Sequence, residues 1–313
     1  MTDKTLELLH KAYEDAINTS ESIVGVLKCL KKSLSSLHGQ IPQQDLPSFN
    51  SFLDGVETCI HYRMDTSDIT DMLTFVTITM LYIVRWMNSN RQYQLDADIF
   101  SRRKSLESNL TKILSKSCKD PSISPSQDDI FGMRIILLNE LSSEEATKYL
   151  YKLYQTFNDI LGGKDPQKKQ AFLQWCEKSN ILPSVKAIIK DVLATPFSIE
   201  SKTDYVQNPK ENGYQSIHVI YRFAFYHDFQ VLRGVPFELQ FRTLEMDYYA
   251  EYGPAAHWIY KAELDKKIAE VFGLANYSKA QIPGLTDKLD YDGVKKEKEE
   301  GKQYYRRRTL MTH

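Results

Sequence analysis

The amino-acid sequence predicts an α+β protein: a mixed sheet with surrounding helices, preceded by a small all-helical unit. Three observations predict it. Apolar residues recur at helical spacing through roughly the first 95 residues. Short apolar runs with β-branched residues begin only after Asp96. Beyond that point such runs interleave with helical stretches, which argues for a sheet with helices packed on it. A chain of 313 residues has room for about two domains. The expected divisions are a helical unit over 1–95, a sheet domain over 96–270 and a charged extension over 271–313.

Taken in order, Leu8, Ala12, Ala16, Ile23, Val26, Leu27 and Leu30 mark helix between Thr5 and Leu37. Gly39, Pro42 and Pro47 break it, and helix resumes from about Phe49 to Asn88. Arg102 to Ser115 reads as a basic helix, and Ile130 to Leu138 as a buried strand. Ser142 to Leu161 is helical, with serine caps, acids in the first turn and Gly162-Gly163 at its end. Lys164 to Leu193 is basic and mostly helical. Ser216 to Tyr226 and Val235 to Thr243 read as paired strands, and Met246 to Lys267 as helix. The segment from Ser278 is charged, with Lys295 to Lys298 and Arg306 to Arg308.

The bulk chemistry excludes several classes. Forty basic and 41 acidic side chains give a net charge of −1, so nothing pulls the whole chain toward nucleic acid. Cys29, Cys59, Cys118 and Cys176 are scattered without a CxxC pair, which suggests neither a zinc site nor a disulfide framework. A reduced, cytoplasmic chain is expected. The N-terminus lacks a basic-then-apolar leader pattern. The most apolar run, Met72 to Val84, is shorter than the ~20 residues of a membrane span, so it reads as a buried helix.

Two carboxylates open the chemical reading. Asp129 stands at the start of one predicted strand, in DDIFGMRI, and Glu238 lies within another, in VPFELQFRT. Acids on neighbouring strands can hold magnesium, a hard cation that takes oxygen ligands. The cations follow. Arg102, Lys104 and Lys112 fall on the basic helix with Ser105 and Ser108 between them; Arg134, Lys210 and Arg242 lie beside the strands and turns. Converging guanidinium and ammonium groups are what polyphosphate binding needs. Taken singly, each acid is more often a strand-end carboxylate and each base a solvated charge. In Pro209 to His218, PKENGYQSIH, Asn212-Gly213 allows a tight turn that would present Tyr214 as a stacking surface.

Four ordered blocks between Arg102 and Lys261 resemble the synthetase domain of RelA/SpoT-like proteins, including small alarmone synthetases. They are RRKSLESNLTK, DIFGMRI, DYVQNPKENGYQSIH and FELQFRTLEMDYYAEYGPAAHWIYK. The resemblance implies a nucleotidyltransferase-like sheet and a pyrophosphokinase, in which an acceptor 3′-hydroxyl attacks the β-phosphorus of ATP and AMP leaves. It assigns Arg102 and Arg134 to the adenine, and Lys104, Ser108, Lys112 and His218 to the ATP phosphates. Asp129 and Glu238 would bind Mg²⁺, with Glu238 also activating the hydroxyl. Lys210, Asn212 and Tyr214 would seat the acceptor, and Gln240 and Arg242 would support the transfer site.

The chain also departs from long family members. Residues 1–95 carry no His-Asp hydrolase pattern, and His227-Asp228 reads as a hairpin connection. Extra material over 162–194 adds Lys164, Lys168, Lys169, Lys186 and Lys190. The preferred acceptor is GDP or GTP, giving a guanosine alarmone of the stringent response. Toxic relatives in toxin–antitoxin pairs modify the 3′-CCA end of tRNA, which would add tRNA and an antitoxin as partners. A catalytically silent partner-binding module is the third reading, and a homo-oligomer stays open.

Overall fold

The computed structural model of the chain describes residues 1–61, 66–90, 93, 95–103, 105–122, 131–139, 141–194, 197–223, 225–227, 230–232, 236–252 and 266–273. Helices α1 (Asp3–Thr19), α2 (Ile23–Leu37), α3 (Leu46–His61) and α4 (Thr66–Ser89) come first. The periodicity between Thr5 and Leu37 is divided at Ser20–Ser22, because the Ser22 hydroxyl accepts from Gly25 N at 3.0 Å and starts a second helix.

Thr2 does not cap α1 with its own side chain. Asp45, 5% exposed, does so from a distant turn: Oδ2 accepts from Thr2 N at 2.9 Å and from the Thr2 and Thr5 hydroxyls at 2.6 Å each. Burial pushes the Asp45 carboxyl up, but these hydrogen bonds outweigh it and hold it below the usual range. A depressed folded pKa means stability that is full above the unfolded value, about 3.9, and lost as pH falls through the folded one. Asp45→Asn should therefore cost about 1–3 kcal/mol at pH 7. The gap to wild type should close in acid. Parallel stability–pH curves in denaturant titrations would remove this role.

The run Met72 to Val84 lies inside α4, which buries Val76, Met80, Ile83, Val84, Trp86 and Met87. No described helix is long and apolar enough to cross a membrane. At the end of α4, Asn88 donates to Ala97 O at 2.8 Å and accepts from Ala97 N at 3.1 Å, which fixes the start of the first strand.

Strands β1 (Ala97–Arg103), β2 (Phe131–Leu137), β3 (Ser198–Asp204), β4 (Ile217–Arg222) and β7 (Pro236–Thr243) form a five-stranded sheet in the order β1-β2-β7-β4-β3. Only the β2–β7 pairing is parallel among the described strands. β5 (Phe225–His227) and β6 (Gln230–Leu232) make a separate antiparallel hairpin, so His227 ends a hairpin strand as expected.

The helix expected from Arg102 is corrected here. Arg102 belongs to β1, in register with Gly132, and α5 (Leu106–Lys119) starts only after the Ser105 cap. Seven paired positions with β2 outweigh the local helix preference of RRKS. Strand β3 was not legible either: its side chains are mostly exposed and do not alternate.

Helix α6 (Ser143–Leu161) follows β2, and Ser142 caps it by accepting from Glu145 N. The extra material forms α7 (Pro166–Lys178) and α8 (Pro183–Ala194), which pack against α4 through contacts such as Phe172 on Trp86 at 5.7 Å. Helix α9 (Leu244–Tyr252) follows β7, and α10 (Lys266–Val271) packs on α1 and α5. One continuous apolar core runs from α1 through α4 into the sheet. The helix expected over Met246 to Lys267 coincides with α9 and the start of α10. Residues 253–265 and the charged segment from Ser278 lie outside the described residues.

Tyr221 on β4 is fully buried between Phe197 and Phe237, and its hydroxyl has no hydrogen-bond partner among the described residues. An orphaned buried hydroxyl loses its hydration without compensation. Tyr221→Phe should keep or raise the thermal midpoint. A clear fall would reveal a partner for that oxygen.

Candidate active site

Alternation along β7 divides its side chains between two faces. Phe237, Leu239 and Phe241 are buried, with Phe241 meeting Tyr154 and Phe157 of α6 at 5.6 Å each. Glu238, Gln240 and Arg242 take the other face. On that face Gln240 is in register with Arg134 of β2 and with His218 of β4. Glu238 is opposite Gly132, which leaves that flank without a side chain.

These residues close a ring of hydrogen bonds. His218 Nδ1 lies 2.7 Å from Glu238 Oε1, and Gln240 Nε2 donates to Glu238 Oε2 at 2.6 Å. Gln240 Oε1 accepts from Arg242 Nη2 at 2.7 Å. The same Nη2 donates to the Tyr214 hydroxyl at 2.5 Å, and that hydroxyl lies 2.8 Å from His218 Nε2. A neutral imidazole with its proton on Nδ1 satisfies every bond: it donates to Glu238 and accepts from Tyr214. Glu238 is thereby held at both oxygens. A phosphate contact by His218 would have to replace one of its two bonds.

The loop before β4 delivers Tyr214. Gly213 N donates to Lys210 O at 2.7 Å, and Lys210 N to Tyr214 O at 3.2 Å. Gly213 has φ +77°, a conformation that costs other residues about 1–2 kcal/mol. Asn212 spends its side-chain oxygen on Tyr214 N at 3.2 Å, so it shapes the turn. Burial raises the pKa of the Tyr214 phenol, against the pull of Arg242.

Lys210 has an exposed stem, but its ammonium sits 4.6 Å from the Tyr205 ring and 5.0 Å from the Tyr214 ring. That partial desolvation lowers its pKa; Glu238 opposes the shift, while Arg242 and Lys112 add to it. On α5, Ser108 gives its backbone N–H to the Ser105 cap.

Other expected residues fall elsewhere. Arg102 is placed by register alone, opposite Gly132. Asp129 and Lys104 lie outside the described residues, so the proposed Asp129–Glu238 pair is represented by Glu238. Among the described residues no group of three or more His, Cys, Asp or Glu side chains is placed to hold a metal. Two site residues had no role in the sequence reading. Tyr205 packs edge-on against His218 at 5.2 Å and under Lys210. Asp247 of α9, 0% exposed, pairs with Arg242 at 2.9 Å and Arg134 at 3.0 Å. The sequence signal for Asp247 was weak, because an acid in a first helical turn ordinarily complements the helix dipole.

The polar face and its loop coincide with a family-wide pattern: the region found in RelA / SpoT proteins matches residues 101–265. The chain belongs to the RelA/SpoT family. The matched RelA/SpoT region takes in α5, α9 and every strand from β2 onward, while α1 to α4 precede it. Among curated relatives, a guanosine-3′,5′-bis(diphosphate) 3′-pyrophosphohydrolase of Borreliella burgdorferi is 48% identical over 64 residues, 20% of this chain and 8% of that protein. A probable chloroplastic GTP diphosphokinase of Arabidopsis thaliana is 27% identical over 198 residues, 62% of this chain and 20% of that protein. The chain therefore spans a fifth or less of the length of these relatives. Small alarmone synthetase 1 of Bacillus subtilis is 16% identical, with 69% of this chain and 85% of that chain covered and a TM-score of 0.38. For small alarmone synthetase 2 of Bacillus subtilis the values are 20%, 65%, 86% and 0.36.

Proposed function

We propose that this RelA/SpoT-family chain is an ATP pyrophosphokinase that transfers the β,γ-diphosphate of ATP to the 3′-hydroxyl of GDP or GTP. The observation that carries the reading is the ring that holds Glu238 at both oxygens beside Arg242 and Lys210. A carboxylate fixed in this way can take the proton of an attacking hydroxyl without reorganising. A bond forms between the 3′-oxygen and the β-phosphorus; the bond from that phosphorus to the bridging oxygen of the α-phosphate breaks, and AMP leaves.

Lys112, Lys210 and Arg242 would counter the phosphate charge, and Arg134 and Arg102 would flank the adenine. Glu238 would offer carboxylate oxygen to a hard cation, and Asp129 would complete the set. Mg²⁺ bound there would neutralise charge on the transferring phosphates.

Four of the five lysines of the extra segment favour a nucleotide over a tRNA backbone. Lys168 pairs with the buried Asp159, Lys169 donates to Leu193 O, Lys186 donates to Glu177 O at 2.7 Å, and Lys190 pairs with Glu177 at 2.6 Å. Backbone recognition of nucleic acid needs cations free to displace counterions. The test is thin-layer analysis with γ-labelled ATP, Mg²⁺ and either GDP, GTP or deacylated tRNA. Label on the guanine nucleotide is the expected result. Label on tRNA alone would replace this reading with the toxin activity, and no transfer to any of them with a silent module.

A further inference from the structure

We propose that Asp247 is a positioning residue that couples the donor and acceptor halves of the site, so that binding of one nucleotide tightens binding of the other. The proposal rests on the pyrophosphokinase reading and deepens it.

The geometry is specific. One oxygen, Asp247 Oδ1, forms an ion pair with Arg134 Nη1 at 3.0 Å and accepts a hydrogen bond from Arg242 Nη1 at 2.9 Å. Asp247 is fully buried, and the two arginine side chains are 20% and 4% exposed. A carboxylate taken wholly out of water persists only where cations and hydrogen bonds compensate it. Here the compensation comes from two different strands, β2 and β7, and from the first turn of α9, whose dipole favours an acid.

The two arginines face different tasks. Arg134 lies on the side assigned to adenine. Arg242 reaches the acceptor side, because its Nη2 holds both the Tyr214 hydroxyl and Gln240 Oε1. A continuous path therefore runs from Arg134 through Asp247 and Arg242 to Tyr214, and through Gln240 to Glu238. ATP that fixes Arg134 fixes Asp247, and Asp247 then holds Arg242 in the position that orients Tyr214. Ordering bought by the first ligand is not needed again by the second, which is positive coupling. By linkage the effect is reciprocal.

The test measures binding of α,β-methylene-ATP and of GDP to the full chain by calorimetry, each alone and each in the presence of the other, with Mg²⁺ throughout. In the wild type each ligand should tighten the other by about fivefold or more. Asp247→Asn should still bind the ligands singly but bring that factor close to one. Arg134→Gln leaves the Asp247–Arg242 pair in place and so keeps the variant set informative if Asp247→Asn does not fold. It should weaken GDP binding in the presence of the ATP analogue, although Arg134 lies on the donor side. A wild type that binds both nucleotides without coupling would overturn the proposal, as would an Arg134→Gln variant with unaltered coupling. A wild type that binds neither nucleotide would instead overturn the pyrophosphokinase reading on which it rests.

Discussion

Glu238→Gln should lower AMP release from ATP by about a thousandfold while the chain stays folded, since the substitution removes the proposed proton acceptor, which is also the proposed magnesium ligand. The argument comes from the ring. Glu238 is held at each oxygen, by His218 at one and by Gln240 at the other. A glutamine keeps the size and one acceptor but turns a donor toward one of those partners. The neighbours can adapt, by a tautomer change at His218 or an amide flip at Gln240, so stability should fall by no more than about 1–3 kcal/mol. Activity within tenfold of wild type, with guanine nucleotide as acceptor, would show that Glu238 does not carry the reaction.

The second large effect separates the ring of Tyr214 from its hydroxyl. Tyr214→Ala should raise the acceptor KM by roughly ten- to a hundredfold, the loss expected for a base-stacking aromatic worth about 1–3 kcal/mol. Tyr214→Phe keeps the stacking surface but opens the ring at its junction with Arg242 and His218. That variant should lose about tenfold in kcat with little change in acceptor KM, because the groups left loose are the ones that orient Glu238. ATP binding without acceptor should be nearly unchanged in both. Equal loss of ATP and acceptor affinity in the alanine variant would remove Tyr214 from the acceptor site.

What could be read beforehand follows from the physics of each segment. β4 and β7 alternate cleanly because one face is core and the other is site, so the strands and their polar residues were visible together. Ser142 and Glu145 announced α6 because a cap satisfies backbone donors locally. β1 and β3 were hidden for opposite reasons. β1 ends in the basic pair Arg102-Arg103, whose local preference is overridden by pairing with β2, and β3 is an edge strand with little to bury. His218 was assigned to phosphate on resemblance, and its two internal bonds were not legible, since they depend on the register that sets it beside Gln240. Asp247 stayed unassigned because its meaning depends on Arg134, more than a hundred positions earlier in the chain.

That separation has a consequence for how the protein is made. β2 carries Arg134 and the apolar run Phe131–Leu137, yet its parallel neighbour is β7, which is synthesised more than a hundred residues later. Until Pro236–Thr243 leaves the ribosome, β2 has β1 on one side and an unpaired edge on the other. Such an edge is a template for the wrong partner. α6, α7 and α8 can form in the interval, since α4, against which α7 and α8 pack, is already made, but they cannot occupy the place of a strand. Chains cut short before β7 should therefore collect as aggregates, and nascent chains stalled there should be held by chaperones that recognise extended apolar segments. Among the described strands the last to arrive is also the one that brings Glu238, so no partly made molecule could carry out the proposed transfer at this site.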